Sequence, residues 1–314
     1  MQTHLIHFSG QLALPRITNR SWRSPMMKAL YRTLVIAATL CTTSSAWADG
    51  WGTCYSKNST PYWCWVFDTP GVKTIGGPVN IWPHRIAVSN VTLDCGWTPL
   101  CTTNPCPTQV TEPNNGSGRN GIYVESIGDD ILTGITIKRC DVRGWDANIF
   151  VNYVNGATIH DNFVQYGWDG IDTNRAWNLN VYYNTARYNA GDGIDVDEVR
   201  TSNYHDNWVY SNGDHGITLN NFGAECSQAW RNEGTLVQWN TIHDNVGRAV
   251  NIKGTKTSTI KENWIWGNSQ GVGKCKLSEC CESSNVICRN KAQNGALLSP
   301  TAFEGNELNL TTCP

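Results

Sequence analysis

The residues most able to do chemistry in this chain are spaced one repeat apart. Asp169, Asp192 and His215 follow one another at a step of 23 residues, and Arg248 follows after 33. Each opens a short phrase: Asp169-Gly170-Ile171-Asp172, Asp192-Gly193-Ile194-Asp195, His215-Gly216-Ile217-Thr218 and Arg248-Ala249-Val250-Asn251. Lys253 lies two residues past the last phrase. Clustered carboxylates either raise one another's pKa or bind a cation. An imidazole and a cationic side chain beside them add a base and an electrostatic partner. This is a set suited to proton transfer on a sugar. The candidate catalytic residues are therefore Asp192, His215, Lys253, Arg248 and Asp169. Trp168 and Trp230 are candidates for stacking on sugar rings, and Asn220 and Asn251 for substrate hydrogen bonds.

The elements that must position these residues are set by the same repeat. Asn162, Asn184, Asn207, Asn240 and Asn263 each close a short β-prone run, typified by Thr158-Ile159-His160-Asp161-Asn162. Fixed self-similarity built from strands predicts a solenoid. The expected fold is all-β: a single-stranded right-handed parallel β-helix with disulfide-rich N- and C-terminal caps. Side chains one repeat apart then become neighbours about 4.8 Å apart. Ile171, Ile194, Ile217 and Val250 are expected inside, with Val196, Leu219 and Ile252 two positions later. By strand alternation, Asp172, Asp195, Thr218 and Asn251 form one outward column, and Asn174, Asp197, Asn220 and Lys253 the next. Earlier turns add Tyr123 and Phe150 to the first and Glu125 and Asn152 to the second. The Asn column and the glycines are read as turn scaffold. The long step to Arg248 predicts a loop insertion over 222–236, carrying Glu225, Trp230, Arg231 and Glu233, as a wall of the site.

The chain begins with an expected leader. A basic start at Met27-Lys28, an apolar run from Leu34 to Leu40 and Ala46-Trp47-Ala48 read as a secretory signal over 1–48, too short for a membrane span. Of 24 basic and 26 acidic side chains, five basic and no acidic ones precede Asp49, which leaves a net charge of −7 on the rest. That charge argues against nucleic acid as a partner, and no membrane segment is expected after the leader. Twelve of the 13 cysteines follow Cys41, an even number that predicts disulfides in an oxidising compartment. They cluster at the ends, where a solenoid needs caps. The expected division is a leader (1–48), a cysteine-rich cap with the first coils (49–118), the β-helix repeats (119–269) and a cysteine-rich C-terminal cap (270–314). A secreted (extracellular or periplasmic) monomer is the expectation.

The chain after residue 48 resembles the pectin-lyase-like β-helix superfamily of pectate lyases, polygalacturonases, alginate lyases and epimerases. Over the four central turns two families are closer. Polygalacturonase-type glycoside hydrolases carry N-T-D-G, G-D-D, G-H-G and R-I-K motifs on successive turns, which Asp169-Gly170, Gly191-Asp192, Asp214-His215-Gly216 and Asn251-Ile252-Lys253 resemble. Gly191 stands where that family has its proton donor, and Asn251 where it has an arginine. In that reading Asp195, Glu225 or Glu233 would supply the missing acid. Calcium-dependent pectate lyases carry a motif similar to Asn189-Ala190-Gly191-Asp192-Gly193-Ile194-Asp195, again with Gly191 in place of an acid. The resemblance implies that Asp169, Asp192 and Asp195 hold Ca²⁺, which would reconcile a net-negative protein with an anionic polymer. It implies a Lys or Arg base, for which Lys253 and Arg248 are available because Thr218 occupies the family's base position. The expected function is a secreted polysaccharide-active enzyme performing β-elimination on a uronate-containing glycan, with a carbohydrate polymer as partner and calcium as cofactor. Alternatives are a polygalacturonase-like hydrolase, a C5-epimerase, or a non-catalytic glycan-binding β-helix.

Overall fold

The computed structural model describes residues 49–55, 61–75, 80–109, 118–125, 130–220, 232–274, 285–296 and 310–313. Every regular element among them is a β-strand. One coil shows the plan. Thr158–His160, Phe163–Gln165 and Asp169–Asn174 are three short strands separated by tight turns, and Asn180–Tyr182 starts the next coil. Equivalent strands stack in parallel into sheets of nine, seven and ten strands, here called the flank, ring and site sheets. The site sheet runs through eight successive parallel turns, from His84–Ile86 to Gln270–Lys274. The expected parallel β-helix is thus the fold. Among the described residues, no helix is long and apolar enough to cross a membrane.

The register follows the expected columns. Ile149, Ile171, Ile194, Ile217, Val250 and Val272 are paired in succession and fully buried. Burial of each such side chain contributes roughly 1.5–3 kcal/mol. The next inward column is Val151, Thr173, Val196, Leu219 and Ile252. Its one polar member, Thr173, bonds the hydroxyl of Tyr204 at 2.8 Å across the coil interior.

Asparagine satisfies the turns. The Nδ2 of Asn162 donates to Oδ1 of Asn184 at 2.9 Å, and the pattern continues through Asn207, Asn240, Asn263 and Asn290. Each of these Oδ1 atoms also accepts the backbone N–H of the asparagine one coil before. A second ladder, not anticipated above, runs through Asn189, Asn212, Asn245 and Asn268. The residue before each member of the first ladder adopts a left-handed backbone, with φ of 52° to 57° at Asp161, Tyr183, Asp206, Trp239 and Glu262. That conformation is costly for non-glycine residues, so the ladder holds a strained corner in place.

The 33-residue step closes as an ordinary coil. Asn207 bonds Asn240 across 33 residues just as Asn184 bonds Asn207 across 23, so the coil closes over the insertion. Asn232 already caps Val199 N–H at 2.6 Å, and Glu233 bridges Arg200 and Lys256. Residues 232–236 therefore belong to the coil, and 221–231 lie outside the described residues. Coil strands lie on both sides of 119–269: Val91–Asp94, within the expected first coils, pairs with Thr136–Lys138, and Val286–Cys288 pairs with Thr259–Lys261. At the N-terminal end an antiparallel hairpin, Gly50–Tyr55 with Pro61–Phe67, is stapled by Cys54–Cys64. Cys95–Cys140 joins adjacent coils, Cys101–Cys106 closes a short loop, and Cys288–Cys313 ties the last coil. Cys226, Cys275, Cys280 and Cys281 lie outside the described residues, as does the leader over 1–48.

Candidate active site

Asp169, Asp192, His215 and Arg248 form one edge of the site sheet, and that edge is itself a ladder. Asp169 Oδ1 accepts the backbone N–H of Asp192 at 2.8 Å. Asp192 Oδ1 accepts that of His215 at 2.8 Å, and His215 Nδ1 accepts that of Arg248 at 2.7 Å. An N–H can only donate, so Nδ1 of His215 is the unprotonated nitrogen. Burial, together with the Arg248 charge, holds the imidazole below its ordinary pKa, against the pull of Asp214. The proton of the neutral ring then sits on Nε2, 3.4 Å from Asp214 Oδ1. His215 is accordingly a fixed, neutral group rather than a free base. Arg248 is held by Asn251 Oδ1 and Gln270 Oε1, each at 2.9 Å, and burial lowers its pKa.

The tightest acidic group is one column inward from this edge. Carboxylate oxygens of Asp172, Asp195 and Asp197 lie within 4.8 Å of one another. Asp172 and Asp197 are buried and Asp195 partly so, although strand alternation points all three outward. Burial pushes Asp195 well above the usual carboxylate range, with Asp197, Asp172, Asp169 and Asp192 adding repulsion in that order. Burial also pushes Asp192 up to about 6, opposed by the nearby Thr218 hydroxyl and by the hydrogen bond from the His215 amide, and aided by Asp214. Three carboxylates this close do not all ionise unless a cation joins them.

The close carboxylates only partly overlap the set expected to hold a cation. Asp169 and Asp192 each spend one oxygen on the backbone of the next coil, and the mutually close trio is Asp172, Asp195 and Asp197 in place of Asp169, Asp192 and Asp195. Asp197 was legible as an outward residue but not as a partner of Asp195, because it belongs to the neighbouring column. Asn220 and Asn251 extend the two columns beside Asp197 and Thr218. Lys253 is exposed and follows Asn220 in its column, two coils from Asp197. Trp168 is exposed beside Asp169. Trp230, Glu225 and Arg231 lie outside the described residues. Glu233, considered as a substitute acid, lies in a coil and pairs with Lys256 at 3.5 Å.

Gly191 has a physical reason. A Cβ there would meet Asp169 Oδ1 at 2.6 Å and Trp168 Nε1 at 3.0 Å. The space where an acid would stand is already filled by the neighbouring carboxylate and indole.

A family model described as periplasmic copper-binding protein (NosD) matches residues 102–225. A comparison with curated protein sequences returned no match. Among solved structures, the A-module of the mannuronan C-5 epimerase of Azotobacter vinelandii is similar at 21% identity, over 72% of this chain and 60% of that one, with a TM-score of 0.41. The catalytic unit of the GH87 α-1,3-glucanase of Streptomyces thermodiastaticus strain HF3-3 is similar at 15% identity, over 74% and 43%, with a TM-score of 0.49. The DFA-IIIase of Arthrobacter chlorophenolicus A6 is similar at 15% identity, over 70% and 56%, with a TM-score of 0.47. The chain spans 60% or less of the length of each of these three structures. Copper favours imidazole, thiolate and thioether donors, whereas the trio here is all carboxylate. His160, His205 and His243 each bond the adjacent aspartate instead. The described residues do not fit a copper site.

Proposed function

We propose that the chain is a secreted enzyme of polysaccharide breakdown, acting by β-elimination on a uronate-containing glycan held against the site sheet. The observation that carries this reading is the group Asp172, Asp195 and Asp197, three carboxylates within 4.8 Å. All-oxygen, anionic donors of this kind fit a hard divalent cation such as Ca²⁺. Bound there, the cation would neutralise the substrate carboxylate and make the C5 proton more acidic. The chain's own residues would do the rest. A base removes the C5 proton, the C4–O bond breaks, a C4–C5 double bond forms, and the leaving oxygen is protonated. Arg248, at the edge of the site sheet and held in place by Asn251 and Gln270, is the proposed base. Asp192, pushed up to about 6, is the proposed acid. Trp168 would stack on a sugar, and Asn220 and Asn251 would orient its hydroxyls. Four disulfides among the described residues, and the periplasmic character of the family whose model matches 102–225, support an extracellular or periplasmic location.

A second reading, glycoside hydrolysis, rests on the same raised Asp192, which suits a general acid near neutral pH. One experiment separates the two. The protein is incubated with pectate, alginate and neutral glycans, with Ca²⁺ or with chelator. Elimination gives ultraviolet-absorbing unsaturated ends that disappear with chelator, and hydrolysis gives reducing ends without that absorbance. Absence of both products on every polymer would refute the catalytic reading for them.

A further inference from the structure

The ring sheet carries a second periodic surface that the acidic site does not use. Its outward column reads Phe163, Thr185, Trp208, Thr241, Trp264. The left-handed corner two residues earlier in each coil reads Asp161, Tyr183, Asp206, Trp239, Glu262. The two columns alternate in step. A coil with an aromatic residue on the strand has an acid at the corner, and a coil with threonine on the strand has an aromatic residue at the corner. Within these two columns, five successive coils therefore present one exposed ring each, in a zigzag. Exposure is 37% at Phe163, 59% at Tyr183, 58% at Trp208, 50% at Trp239 and 45% at Trp264. Trp97, 5.3 Å from Phe163, extends the strip at one end.

Exposed hydrophobic residues scattered singly need no explanation, but a contiguous patch does. This one has a fixed spacing. Like positions two coils apart, such as Phe163, Trp208 and Trp264, lie roughly 9.6 Å apart along the axis. Two sugars of an extended β-linked chain advance by about that distance. Aromatic faces meet the C–H faces of pyranose rings favourably, and they carry large apolar area at low conformational cost. The acids between the rings are already oriented. Asp161 and Asp206 each bond the preceding histidine, at 2.6 and 2.7 Å. Glu262 accepts the Trp239 indole N–H at 2.8 Å and pairs with Arg289 at 3.1 Å. Carboxylates in such a strip accept bonds from sugar hydroxyls and repel a polyanion.

We propose that this strip binds a neutral, extended β-linked polysaccharide laid along the helix axis, with rings on alternate coils meeting every second sugar. It is a site for holding polymer, separate from the acidic group on the site sheet and independent of the reaction proposed there.

The test uses the whole protein in affinity gels containing hydroxyethylcellulose or glycol chitin, with pectate and alginate gels as comparators. Retardation by a neutral polymer is expected, weakened about tenfold for each ring removed in Trp208→Ala, Trp239→Ala and Tyr183→Ser. All three side chains are exposed, so melting temperatures should match the parent, and Tyr183→Ser provides a variant at a different ring should a tryptophan variant misfold. Asp195→Asn should bind like the parent, which keeps this result apart from any failure of the acidic site. The proposal is overturned by absence of binding to any neutral polymer, by binding to the uronates alone, or by binding that survives the Trp208/Trp239 double variant. Self-association in sedimentation that the same variants abolish would also overturn it, by assigning the strip to a second copy of the chain.

Discussion

The ladder from Asn162 to Asn290 and the edge from Asp169 to Arg248 perform the same service for the backbone. Each supplies a side-chain acceptor to an N–H of the neighbouring coil, at 2.9–3.1 Å in the first and 2.7–2.8 Å in the second. The first uses a single residue type throughout and is buried. The second uses Asp, Asp and His, which titrate, and ends on Arg. Asparagine would satisfy the edge equally well, since it satisfies two other turns of the same coil. The ionisable character of the edge is therefore surplus to holding the fold, and it coincides with the acidic group beside it. Structural need explains the acceptors, and their charge is what the proposed chemistry would use.

Breaking the two regions should have opposite consequences. The largest effect is expected from Asp195→Ala, which removes the centre of the acidic group. Activity should fall by about 10²–10³-fold, the scale of losing one electrostatic partner of a transition state, while the melting temperature at neutral pH holds or rises as repulsion is relieved. A fall in both would make Asp195 a scaffold residue. Next, Asn207→Ala removes a ladder member and leaves buried groups unsatisfied. Denaturant titration should show a loss of about 1–3 kcal/mol, with unchanged turnover per folded molecule.

Smaller effects sharpen the contrast by keeping the acceptor and deleting the charge. Asp192→Asn preserves the bond to His215 N–H, so below pH 3.8, where both side chains are neutral, stability should change by less than about 1 kcal/mol. The folded Asp192 pKa is raised to about 6 from 3.8, so the native state holds the proton more tightly than the unfolded chain does. Its contribution is present below pH 3.8 and is lost as pH rises through about 6. The variant should lack that decline and the activity limb near pH 6, read from melting curves and rates across pH. The smallest expected effect is at His215→Asn. A depressed imidazole pKa means that the parent loses stability as pH falls below the ordinary value of 6.5. The variant should lose less over the same window, a slope opposite to that of Asp192.

Much of this was readable beforehand because repeats convert sequence spacing into neighbours. Inward Ile171, Ile194 and Ile217 and the first Asn ladder follow from period alone. So would the second ladder have done, since Asn189, Asn212 and Asn245 keep the same 23- and 33-residue steps. What spacing does not reveal is where a carboxylate aims. Asp169 and Asp192 precede glycine just as catalytic acids do elsewhere, yet they stand at a turn where an amide needs an acceptor. Asp197 joins Asp195 across columns, which requires side-chain directions. The aromatic zigzag was hidden for a related reason: Trp208 and Trp239 fall in step only once the 33-residue turn is known to close as a normal coil.

Gly191 limits what can replace it. With Trp168 and Asp169 packed where its side chain would be, an acid cannot enter by a single substitution without displacing one of them. The first group to move would be the Asp169 carboxylate, and with it the bond that Asp169 accepts from Asp192 N–H. A new acid at 191 and the edge ladder therefore compete for the same space.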